Sequence, residues 1–138
     1  MLKRTLLTLL LSGSFVCLFS QELPYRVVFD LTSKDSLDQR SVMRWVKEIT
    51  AANPKAQLEV VMYGKGYELM MPDKSHFMDD VNEATKNPNV SFKVCRVAMK
   101  SNNIDKSQLI KETQTVPDGI YEIISKQHEG WGYIKVGH

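Results

Sequence analysis

The stretch VSFKVCRVAM, Val90 to Met99, decides how the rest of this chain is read. Val90, Phe92 and Val94 alternate with Ser91 and Lys93, the period of two of a strand whose successive side chains face opposite sides of a sheet. Cys95 closes that run, where strand gives way to helix or loop. In an open α/β sheet, ligands and chemistry gather beyond the carboxyl ends of the strands, so Cys95 stands where a site is expected.

Working outward, the same logic finds strands at Tyr25 to Leu31 (YRVVFDL) and Leu58 to Tyr63 (LEVVMY). Pro24 marks the edge of the first, and the second is a nearly continuous apolar run, as expected of a strand covered on both faces. Between them, Val42, Trp45, Val46 and Ile49 form one apolar stripe on a helix from Ser36 to Ala52, which Asn53 and Pro54 stop. Further helical pieces are expected at Tyr67 to Met71, Ser75 to Thr85, just after Cys95, and Asp105 to Lys111. Gln114 to Val116 reads as a brief strand and Pro117 as part of a first helical turn. Ile120, Ile123 and Ile124 supply that last helix with its buried face, Gly130 closes it, and Trp131 to Val136 is the final strand. Strands alternating with helices predict one α/β domain with a mostly parallel sheet of about five strands and helices on both faces.

Residues 1–20 read differently. Lys3 and Arg4 precede an apolar run from Thr5 to Phe19, and Ser20 suits a cleavage site, the pattern of a secretory signal peptide. The run is shorter than the ~20 residues a spanning helix needs. Cys17 raises lipidation as a minor alternative, although Val16 stands where a small residue normally precedes a lipidated cysteine. The expected domain is then 21–138, exported to the periplasm or secreted. Without Lys3 and Arg4 the 18 basic residues fall to 16, equal to the 16 acidic ones. A neutral domain gives no reason to expect a nucleic-acid or anionic-membrane partner.

That domain holds one cysteine, so no internal disulfide is possible. A lone thiol in an oxidising compartment is either buried and inert or reactive and used. Cys95 at a strand-to-helix junction, with Lys93 and Arg96 beside it, fits a nucleophile; equally, free cysteine packs as a small hydrophobe. Gly64-Lys65-Gly66 can bring backbone close to an anion or can simply be a tight turn. Leu69 stands where a dinucleotide fingerprint needs its third glycine. If the sheet is as read, this turn and Cys95 share one rim, and Gly64, Gly66 and Arg96 are the candidate pocket residues. His76, His128 and His138 have no metal-site spacing and read as solvated. Trp131, Tyr133 and Ile134 read as core and interface residues.

Three stretches together resemble the DsrE/DsrF-like sulfur-relay family: VVMYGKGYELMM (Val60 to Met71), VSFKVCRVAMKSNNIDKSQL (Val90 to Leu109) and VPDGIYEIISKQHEGWGYIKV (Val116 to Val136). The resemblance implies a flavodoxin-like domain that forms homotrimers or hexamers and works without metal or organic cofactor. It also implies that Cys95 matches the cysteine that carries sulfur as a persulfide, exchanged with a donor or acceptor protein. The competing expectation is an oligomeric module of the same fold that holds a small ligand or protein without turnover.

Overall fold

Residues 23–137 are described in a computed structural model. The expected leader at 1–20, Cys17 and His138 lie outside them. Five strands form one sheet: β1 (Arg26–Leu31), β2 (Gln57–Met62), β3 (Val90–Cys95), β4 (Gln114–Val116) and β5 (Gly132–Val136). Their spatial order is β4-β3-β2-β1-β5, and every pairing is parallel. The helices are α1 (Ser36–Ala52), α2 (Met78–Ala84), α3 (Arg96–Ser101) and α4 (Gly119–His128). This is the single α/β domain with helices on both faces that the alternation of elements requires.

The two faces are built differently. On one side, Val27, Phe29, Leu31, Leu58, Val60, Met62, Phe92 and Val94 meet Val42, Met43 and Val46 of α1 and Val81 of α2 in the main core. On the other, the apolar contact is confined to Val28, Val61 and Ile123, with Tyr63 against them. The register puts Asp30, Glu59, Lys93 and Cys95 on this second face, beneath α4. An apolar-looking strand such as QLEVVM thus carries one carboxylate into the layer between sheet and helix.

Several expected elements differ. The piece expected at Tyr67 to Met71 is a 3-10 helix over Gly66–Met70. The helix expected from Ser75 starts at Met78, with Phe77 and Met78 only half-buried. The expected helix from Asp105 to Lys111 is one 3-10 turn, Lys106–Gln108, which Asp105 caps through Ser107 N–H as Gln108 bonds back to Asp105 N–H. Pro117 precedes α4, whose cap is Asp118, accepting from Ile120 N–H at 2.8 Å and Tyr121 N–H at 3.2 Å. Of the three isoleucines expected to bury, Ile123 does, whereas Ile120 and Ile124 are exposed because α4 turns the side that carries Gly119 and Ile123 to the sheet. Tyr133 and Ile134 are likewise exposed, since β5 is an edge strand.

Candidate functional site

Cys95 is the last residue of β3 and the cap position of α3, in extended backbone. It is a free thiol at the floor of a cleft of roughly 290 Å³, and only 4% of the residue is exposed. Tyr63 and Gly64 form one wall, Val97 and Ala98 of α3 another, and Asp118 and Ile120 at the start of α4 the third. The start of α4 comes this close because residue 119 is glycine. A Cβ there would lie 3.2 Å from Cys95 Cβ, 3.3 Å from Val61 and 3.4 Å from Tyr63. Gly119 therefore sets the distance between the thiol and the helix start.

Of the residues expected to share the rim, Cys95 and Gly64 line the cleft. Gly64 makes its turn at φ +57°, a conformation glycine adopts without steric cost. Gly66 lies buried against the end of β1 rather than in the cleft, and Arg96 points to solvent outside it. Lys93, whose charge was expected beside the thiol, is engaged elsewhere: its Nζ lies 2.8 Å from Glu59 and 2.7 Å from Glu122. His76 and His128 are exposed, as expected. Among the described residues no group of three or more His, Cys, Asp or Glu could hold a metal ion, and no helix is long and apolar enough to cross a membrane.

The ionic layer under α4 balances unequal effects. Burial is the largest influence on Glu59 and pushes its carboxyl above the usual range, despite Lys93. Burial also opposes charge on Glu122, but hydrogen bonds with Lys93 and Glu59 outweigh it and hold that carboxyl low. For Lys93 the same two carboxylates overcome burial and raise its pKa.

A second cluster adjoins the cleft through Tyr63. Asp30 is almost fully buried, and its Oδ2 accepts hydrogen bonds from Tyr133 at 2.7 Å and Tyr63 at 3.2 Å. Lys135 Nζ lies 3.4 Å from both carboxylate oxygens and donates to Thr32 at 3.0 Å. Sequence reasoning missed this group; its signal was the lone acid inside VVFDL. The bond to Asp30, then burial, pushes the Tyr133 phenol up to about 12 from its ordinary 10.0. Because the folded value is raised, the stabilisation is complete below pH ~10 and lost as pH rises through ~12. In a base titration followed by the ultraviolet tyrosinate band, one phenol is expected to ionise about two units late, and Tyr133→Phe to delete that step. A Tyr133→Phe titration that overlays the parent's would refute the assignment.

Comparison with known proteins gives a concordant picture. The sequence model of the DsrE/DsrF-like family matches residues 26–136. The structure is similar to MTH1491 from Methanobacterium thermoautotrophicum, a protein of unknown function, at 30% identity and a TM-score of 0.75, covering 80% of this chain and 98% of that one. It shares its fold with the conserved protein of unknown function BT1422 from Bacteroides thetaiotaomicron (9% identity, TM-score 0.67, 81% and 95% covered). The same holds for the ychN protein of E. coli (12% identity, TM-score 0.65, 82% and 99% covered). No curated protein matches the sequence.

Proposed function

The chain belongs to the DsrE/DsrF-like family, and from that premise we propose that it is an exported sulfur carrier in which Cys95 holds sulfur as a persulfide. The observation that carries this reading is the placement of a free thiol at the floor of a cleft, between the cap of α3 and the start of α4. The Cys95 thiolate attacks the terminal sulfur of a donor persulfide, R–S–SH. The donor's S–S bond breaks, a new one forms at Cys95, and the donor leaves as R–S⁻, taking up a proton. An acceptor thiolate then attacks the same terminal sulfur and frees Cys95, with no net oxidation.

Ile120, Tyr121 and Ile124 on the outer side of α4, and Val97 on α3, are exposed beside the cleft. This apolar surface supports assembly with further copies of the chain, which would cover it and close the cleft's open side. Export follows from the leader expected at residues 1–20. A second reading, a non-catalytic module holding a small ligand or protein, is favoured by the 4% exposure of Cys95.

The two readings separate in one experiment. The folded protein is incubated with a small-molecule persulfide and measured by intact mass, alongside iodoacetamide labelling. Sulfur carriage predicts a gain of one sulfur atom, complete loss of that gain in Cys95→Ser, and an iodoacetamide adduct that retains the extra sulfur and is released by a thiol reductant, because the terminal S–H of a persulfide is itself alkylated. A thiol that gains no sulfur and resists alkylation until the protein unfolds would leave only the binding reading.

A further inference from the structure

On the α1 side of the sheet, at the same carboxyl rim, lies a second depression of roughly 460 Å³. It is formed where the β1–α1 loop and the first turn of α1 face the segment that follows β2. The residue that makes it more than a surface hollow is Gln39, which lines it while only 3% exposed. The Gln39 side-chain amide has no hydrogen-bond partner among the described residues. The little of Gln39 that solvent reaches includes its amide, which therefore opens into the hollow, where a partner from outside the chain can bond to it.

The surrounding charges define that partner. The acidic groups nearby are already committed. Asp35 caps α1, accepting from Leu37 N–H at 2.7 Å, and Glu68 lies 3.6 Å from Lys74 Nζ. Asp38, in the same turn of α1, is turned toward Gly137 instead: a Cβ on that glycine would lie 3.5 Å from its carboxylate. What remains uncommitted is a set of donors. Lys34 and His76 both line the hollow, and neither side chain has a partner among the described residues. The 17-residue helix α1 adds the positive end of its dipole. With Asp35 bonded at the start of α1 and Glu68 paired with Lys74, the uncommitted donors suit a small oxyanion better than a cation or an apolar group.

We infer that this hollow is a binding site for a small oxyanion, free or at the end of a metabolite, held by the Gln39 amide together with Lys34 and His76. It uses neither the Cys95 thiol nor its cleft, so its test stands apart from sulfur carriage. The full ¹⁵N-labelled protein is titrated with inorganic phosphate, then sulfate and acetate, at constant ionic strength. For at least one of these ions, the Gln39 side-chain amide and the backbone amides of Ser36 and Leu37 are expected to shift saturably. Binding is expected to weaken by about tenfold or more in Gln39→Leu and in Lys34→Ala, and to be unchanged in Cys95→Ser. Leucine retains the bulk and removes the unpartnered amide, so Gln39→Leu is expected to fold; exposed Lys34 gives an independent reading if it does not. Shifts that rise without saturating, that persist unchanged in both variants, or that do not occur would overturn the site and leave the amide to ordered water.

Discussion

Lys93→Met is expected to lower stability by about 3–5 kcal/mol at neutral pH, although the side chain replaced is long, flexible and on the sheet's less apolar face. Lys93 is the cation that Glu59 and Glu122 share, at 2.8 and 2.7 Å, and its side chain is only 17% exposed. Lys126, 4.0 Å from Glu59, is the remaining positive charge near that carboxylate, and it also pairs with Glu129 at 3.2 Å. Removing Lys93 strands two carboxylates between β2 and α4, where the apolar contact amounts to Val28, Val61 and Ile123. The loss should shrink on acidification, by two routes of the same sign. Glu122, held low in the parent, supports the fold above its unfolded pKa and loses that contribution as pH falls. Glu59, already raised by burial, is raised further in the variant, and the instability of its charge is relieved on protonation. Urea unfolding at pH 7 and near pH 4, below the ordinary carboxyl value of 4.5, checks this. A difference of the same size at both values would mean that Lys93 contributes packing and little charge. Lys93→Met combined with Glu59→Leu should recover much of the loss, because replacing the partners together leaves fewer uncompensated charges.

Gly66→Ala is expected to be as damaging for a different reason. A Cβ at residue 66 would sit 2.1 Å from the carbonyl oxygen of Leu31 and 2.8 Å from its carbon. The obstacle is backbone of the interior strand β1, held on one side by β2 and on the other by β5, so it cannot yield as a side chain would. The turn must lift instead, breaking the bonds from Lys65 N–H to Thr32 at 3.0 Å and from Gly66 N–H to Tyr63 at 3.1 Å. A loss of about 3 kcal/mol or more follows from overpacking of this severity. Gly64→Ala makes the comparison. There φ is +57° and the nearest atom, Thr32 O, would be 3.0 Å away. Its cost is mainly conformational, about 1–2 kcal/mol. Thermal unfolding of the two variants should rank Gly66→Ala well below Gly64→Ala; the reverse order would refute the steric account.

These two positions illustrate what was legible beforehand. Gly64-Lys65-Gly66 reads as a turn from sequence alone, but which glycine needs its freedom of φ and which needs its missing Cβ depends on β1 passing beneath. The alternation in VSFKVC places Lys93 and Cys95 on one face and is correct. That alternation cannot reveal two acids arriving on the same face from β2 and α4, so Lys93 was expected beside the thiol. Gly119 was passed over because a glycine after Asp118 looks like an ordinary helix start; its importance is a 3.2 Å approach to Cys95 from another element. Asp30 and Glu59 each stand alone in an apolar run, and their partners come from far along the chain.

The sequence by itself determined the five strands, the two long helices, the parallel α/β class, the strand-end position of Cys95 and the family, because periodicity, turn chemistry and local motifs act over a few residues. Tertiary structure alone decided the strand order, the unequal covering of the two faces, the enclosure of the thiol, the ionic layer under α4 and the unpartnered amide of Gln39. Each of those depends on which distant side chains share a desolvated space, and the energies that select them, burial against charge pairing, exist only once the chain has closed.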